Sequence, residues 1–196
     1  SSMQVYKNYG KNNITINSKK NLSNLYAKSH YESEKIINRK FINNKNMFLI
    51  IRLGNVFGFK KFEDFSKIKN NLVHSLCFSA YNEKKILIKN GSIQRTFIPS
   101  NIFIHSINTI IKKNYFKNFI INIVYKNLCL KNFAKIIKKR IKVIFKINVE
   151  IIIEKNYDIK NHVIYRNKNF YFNPDNKIID TEIDQILKKI KNYITL

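Results

Sequence analysis

MFLIIRL, residues 47–53, is a continuous apolar run with NNKN (43–46) before it and GNVFG (54–58) after it. A run of strand length bounded in this way is typical of a parallel strand buried on both faces. Upstream, a helical pattern runs from about Tyr26 to Ile42, with apolar positions at 36, 37, 41 and 42 and with Ser23 or Asn24 placed to cap its start. Helix followed by buried strand is the signature of an α/β chain. Downstream the alternation continues: a helix over 66–81, a strand at 85–89, a helix over 101–113, a strand at 119–124, a helix over 130–145 and a strand at 149–153. A loop around NPDN (173–176) then leads to an amphipathic helix over 181–193. The expected architecture is a partly parallel sheet covered by helices.

Composition narrows the function classes. The chain has 196 residues and a formal charge of +25. Of its 37 basic residues 32 are Lys, and Lys, Asn and Ile together make half the chain, the pattern that AT-rich codon usage produces. Arg, the preferred reader of phosphates and guanine edges, is scarce, and the lysines are scattered, with KIIKKRIK (135–142) the only dense cluster. That cluster reads as the solvated face of a helix, so no nucleic-acid partner is expected. Cys77 and Cys129 lie far apart in apolar contexts, at no metal-ligand spacing, as two reduced thiols in a cytoplasmic protein would. No metal site is expected, since His74, His105 and His162 also lack ligand spacing. No run of apolar residues is long enough to cross a membrane, so no membrane partner is expected. Only four glycines occur, at 10, 54, 58 and 91, and none forms a phosphate-cradling GxGxxG turn. The opening SSMQV reads as the end of a buried strand, and the expectation is the later portion of a longer protein.

In YAKSHYESEK (26–35), Tyr26 and His30 are four residues apart and share a helix face. The spacing alone fits either a reactive phenol with a partner or an ordinary aromatic at a helix start. The surrounding motifs bear on the choice. SSMQVY (1–6), YAKSHYESE (26–34), IIRLGNVFG (50–58) and GSIQRTFIP (91–99) follow one another in an order and at intervals that resemble the extended short-chain dehydrogenase/reductase family, the NAD-dependent epimerases and dehydratases of nucleotide sugars. The resemblance covers essentially the whole chain. It implies the second half of a Rossmann-type parallel sheet, with a smaller α/β substrate domain. Residues 1–57 and 100–125 would belong to the NAD(P)-binding domain and residues 58–99 and 126–196 to the substrate domain.

The resemblance also implies roles. Ser2 falls on the catalytic Ser or Thr, which hydrogen-bonds the substrate oxygen at the carbon that gains or loses hydride. Tyr26 falls on the tyrosine that exchanges a proton with that oxygen, work that needs a phenol pKa drawn down from about 10. His30 occupies the place of the lysine that assists this tyrosine and holds the nicotinamide ribose, so Tyr26 and His30 are the cofactor-binding candidates for NAD or NADP. Asn55 falls where the family approaches the sugar and its diphosphate, and Arg95 on the arginine that clamps the diphosphate. Thr96 and Ile102 stand where the family commonly has Asp. Glu32 and Glu34 read as first-turn residues complementing the helix dipole. The implied partners are a nucleotide-sugar substrate and a second copy of the chain. A weakened enzyme, an enzyme rewired around His30, and a non-catalytic relative that keeps the fold as a binding or structural module are the three readings that His30 leaves open.

Overall fold

The computed structural model describes residues 1–7, 13–41, 48–58, 71–113, 119–155, 164–165 and 173–195. Its strands are β1 (Asn13–Ile14), β2 (Leu49–Leu53), β3 (Asn55–Phe57), β4 (Lys85–Asn90), β5 (Gln94–Pro99), β6 (Phe119–Ile123), β7 (Lys126–Cys129), β8 (Glu150–Lys155) and β9 (Ile164–Tyr165). Its helices are α1 (Leu25–Phe41), α2 (Leu72–Asn82), α3 (Ser100–Lys112), α4 (Leu130–Phe145) and α5 (Asn176–Ile194).

β2, the core of the apolar run, pairs in parallel with β6 in register from Leu49↔Phe119 to Leu53↔Ile123. On its other side Ser2 forms a parallel bridge with Leu53, and Leu53 N donates to Ser1 O at 3.2 Å. Ser1 and Ser2 thus lie beside the end of β2, and the chain then forms a 3-10 turn at Met3–Val5. Burial along β2 alternates, with Ile50 and Arg52 inside and Leu49, Ile51 and Leu53 half-buried. The expected two-faced burial is thus partial, and the most buried large side chain on the strand is charged.

The remaining strands build separate ladders. β3 pairs in parallel with β5, and β5 pairs antiparallel with β7. β4 pairs in parallel with β8, and β1 with β9. β3, β5 and β7 correct the sequence reading, which leaves these stretches as turn or loop. α2, α4 and α5 pack together, and Arg140 on α4 makes a bidentate pair with Asp184 on α5. The apolar stripe of α4 (Phe133, Ala134, Ile137, Ile141) and that of α5 (Ile179, Ile183, Ile186, Leu187, Ile190) supply much of the main core. Lys135, Lys138, Lys139 and Lys142 lie exposed on the opposite face of α4.

Caps set the helix starts. Asn24 Oδ1 accepts from Tyr26 N at 2.8 Å, Asn71 Oδ1 from Val73 N at 3.0 Å, and Asp175 Oδ1 from Lys177 N at 2.8 Å. The last of these starts α5 at Asn176, five residues before the expected 181. The expected 66–70 part of α2 lies outside the described residues. Cys77 is buried and Cys129 half-buried, both as free thiols. Among the described residues no helix is long and apolar enough to cross a membrane.

Candidate active-site cleft

A cleft of about 780 Å³ opens where the chain start, α1 and the β3–β5 ladder meet. Ser2, Tyr26, Asn55 and Arg95 all line it. These four side chains come from four separate stretches of sequence, so only the tertiary fold brings them together. His30 is not among the lining residues.

Each is held by local physics. Ser2 is buried and caps the 3-10 turn, its Oγ accepting from Gln4 N at 3.2 Å. That leaves the hydroxyl hydrogen available for donation. Tyr26 is the second residue of α1 and is 51% exposed. Its ring meets that of His30 edge-on, with centroids 4.5 Å apart and planes at 70°. Burial holds the His30 imidazole below its ordinary pKa, so it is neutral at pH 7. Asn55 opens β3 and its Nδ2 donates to Thr96 O at 3.2 Å. Gly54 makes this approach possible, because a Cβ there would sit 2.1 Å from Thr96 Cγ2 and 2.7 Å from Thr96 O. Gly58, at φ +151°, closes the same strand in a conformation that favours glycine. Arg95, half-buried on β5, donates to Gln94 O at 3.3 Å.

Two features are absent from the sequence reading. Lys7 lines the cleft with Arg95, and the described lining contains no carboxylate, so the cleft favours an anionic ligand. Lys7 is placed by its backbone, whose N–H donates to Lys19 O at 2.9 Å. The second feature is a buried network centred on Arg52. Its Nε and Nη2 donate to Glu34 Oε1 and Oε2 at 2.8 and 2.6 Å, and its Nη1 donates to Tyr6 Oη at 2.7 Å. Tyr6 Oη in turn donates to Asn122 Oδ1 at 2.7 Å, and Ser1 Oγ donates to Glu34 Oε1 at 2.5 Å. Lys20 Nζ stands 4.6 Å over the Tyr6 ring. Burial pushes the Glu34 carboxyl up, but the hydrogen bonds from Arg52 and Ser1 outweigh it and hold the group below its ordinary range.

Glu34 therefore corrects the dipole reading. It lies deep in α1, whose first turn contains no acidic residue. Glu32 pairs on the surface with Lys35 at 3.0 Å. Two signals were present: an arginine inside an otherwise apolar strand, and a glutamate at the same four-residue interval that links Tyr26 to His30.

The donor set fits one end of a nicotinamide cofactor. The Ser2 and Tyr26 hydroxyls line the cleft as potential donors to a ligand oxygen, while His30 stands outside the lining, in ring contact with Tyr26. The glycine-rich turn whose backbone amides cradle a dinucleotide's pyrophosphate is not among these 196 residues.

No protein-family model matches the sequence, and no curated protein matches it by sequence comparison. Solved structures do match. The chain superposes with a TM-score of 0.74 on the UDP-N-acetylglucosamine 4-epimerase of Methanobrevibacter ruminantium, solved with UDP-N-acetylmuramic acid, at 21% identity. The match covers 98% of this chain and 62% of that one. UDP-glucuronic acid 4-epimerase from Bacillus cereus, solved with NAD, gives a TM-score of 0.75 at 14% identity over 98% of this chain and 60% of its own. RMD from Pseudomonas aeruginosa, solved with NADPH, gives 0.74 at 14%, over 98% and 65%. The chain thus has the fold of these enzymes and spans less than two thirds of their length.

Proposed function

We propose that the chain carries the catalytic tyrosine and most of the substrate site of an NAD(P)-dependent nucleotide-sugar epimerase, dehydratase or reductase. The observation that carries this reading is the convergence of Ser2, Tyr26, Asn55 and Arg95 on one cleft. In the oxidative direction the Tyr26 phenolate takes the proton of a sugar hydroxyl while Ser2 donates a hydrogen bond to the same oxygen. A bound nicotinamide would supply the complementary hydride transfer at the carbon. In the reductive direction the Tyr26 phenol gives the proton back to the carbonyl oxygen. Arg95 and Lys7 hold the diphosphate, where a planar guanidinium fork adds geometric selection to charge. Asn55 faces the sugar-diphosphate. His30, as a neutral imidazole, offers a hydrogen bond to the ribose and less electrostatic help to the phenol than an ammonium would.

This reading assigns residues 1–57 and 100–125 to the cofactor domain and 58–99 and 126–196 to the substrate domain, and it expects a homodimer of the complete protein. Titrating that protein with NAD, NADP and UDP- or dTDP-sugars, followed by fluorescence quenching and thermal shift, tests the proposal. Saturable binding is expected, and Arg95→Ala should weaken sugar-nucleotide binding about tenfold or more, the cost of one charge-assisted contact. No saturable binding of any of these ligands would overturn it. A second reading, a non-catalytic binding module, is favoured by the imidazole at 30 and by Thr96 in place of an acid. Binding without turnover, with Tyr26→Phe silent in every assay, would select it.

A further inference from the structure

α1 carries Tyr26, and within these 196 residues its apolar packing is mainly that of Ala27 and of Tyr31 against the cluster of Met3, Val5 and Tyr6. Of its seventeen residues only Ala27 and Glu34 are buried, while Leu25, Ile36 and Ile37 are exposed. A helix anchored also through one buried carboxylate owes part of its placement to that carboxylate's partners. The Glu34 partners, Ser1 and Arg52, belong to the chain start and to β2, two of the segments next to the cleft.

We infer that the buried Glu34–Arg52 pair is the positioning device of the cleft, fixing Tyr26, Ser2 and Asn55 in one frame. The inference rests on the function proposed above. Glu34 is two helical turns from Tyr26, so fixing one sets the other through a rigid helix. Ser1, whose hydroxyl donates to Glu34 Oε1, precedes Ser2. Arg52 lies three residues before Asn55 on the strand that turns at Gly54. Its third nitrogen reaches Tyr6, which closes the 3-10 turn that Ser2 opens and passes the contact to Asn122 on β6. Among the described residues the carboxylate and guanidinium thus join the chain start, α1 and the β2–β3 strand end.

Stability alone does not call for an ion pair at this place. Withdrawing two charges from water costs free energy that an apolar pair of the same volume avoids, so such replacements are often neutral or stabilising. What the bidentate pair adds is direction: two parallel N–H···O bonds fix distance and angle together. Their side chains are only 1% and 4% exposed, so water does not soften that geometry.

The test uses the complete protein with Glu34→Gln, Arg52→Met, and the double variant Glu34→Leu/Arg52→Met, which exchanges the pair for an apolar one. Three quantities are read: the thermal midpoint, the ¹³Cζ NMR signal of Tyr26 assigned by Tyr26→Phe, and kcat with KM. The double variant should melt within about 4 °C of the parent. Its Tyr26 signal should stay displaced or split, and kcat should stay down about tenfold or more, as misplacing a reacting group does, with KM changed less than about threefold. Recovery of the Tyr26 signal and of kcat along with the midpoint would overturn the inference, because the pair would then be only structural. A double variant that does not fold would overturn it for the same reason. The Tyr26 signal does not depend on turnover: a displaced signal in a protein that proves inactive would sink the proposed function and leave the positioning role standing.

Discussion

Tyr26 and His30 meet edge to face, and on the proposed function His30 stands where an ammonium would do most for the Tyr26 phenol, which sets the first expectation at the residue scale. An ammonium at about 4 Å favours a phenolate by roughly 1–4 kcal/mol, depending on the effective dielectric. Neutral His30 gives far less. His30→Lys in the complete protein should therefore raise kcat at neutral pH about tenfold and lessen any alkaline displacement of the pH optimum, as steady-state profiles of the two proteins would show. Tyr26→Phe should abolish turnover in both backgrounds. Unchanged turnover in Tyr26→Phe would remove this residue from the chemistry, and activity destroyed by His30→Lys would mean a site rebuilt around imidazole. Ser2, Tyr26, Asn55 and Arg95 were legible as candidates because each is tied to a local motif. Glu34 and Arg52 were not, since neither reveals its partner: their bond joins a helix to a strand, and only the fold brings the two together.

The short strands of the β3–β5–β7 ladder belong to the next scale. GNVF and QRTFIP show no alternating or continuous apolar pattern long enough to read as strands, and their pairing comes from neighbours rather than propensity. The longer elements β2, β4, β6, β8, α1, α3 and α4 fall within one or two residues of their expected bounds because burial imposes a period on their sequences. The close approach of β3 to β5 depends on Gly54. A methyl group there would strike the Thr96 methyl and, at 2.7 Å, the Thr96 carbonyl oxygen, which is backbone and cannot rotate away. Gly54→Ala should cost on the order of 1–3 kcal/mol, measured as a lower urea midpoint with an unchanged slope, and should weaken ligand binding through Asn55 and Arg95. A parent-like midpoint would show that the two strands separate without penalty.

For the whole molecule, a charge of +25 with only 12 carboxylates makes acid the sensitive direction. Lys20, which burial and then the Arg52 charge pull down to about 8, is protonated in both states below that pH and adds no slope in acid. His74 acts first. It is buried with Nε2 3.1 Å from Gly58 O, and burial lowers its pKa from 6.5, as it does for His30. Below pH 6.5 the unfolded chain takes up these protons before the folded one, so stability falls as pH drops toward the lower folded values. Glu34 acts later, with the sign of a depressed acid. Its contribution is complete above the unfolded value of 4.5 and is lost as pH falls through the lower folded value. Urea midpoints should therefore decline in two stages, one beginning below pH 6.5 and the other below 4.5. His74→Gln should shrink the first stage alone. Glu34→Leu/Arg52→Met should remove the second alone, because the apolar pair has no proton to bind. Added salt should raise the midpoints most at the acid end, where uncompensated positive charge is greatest. A midpoint that stays flat from pH 7 to pH 5 would show that His74 carries its charge as readily inside the fold as in water, and would overturn its assignment as a buried neutral imidazole.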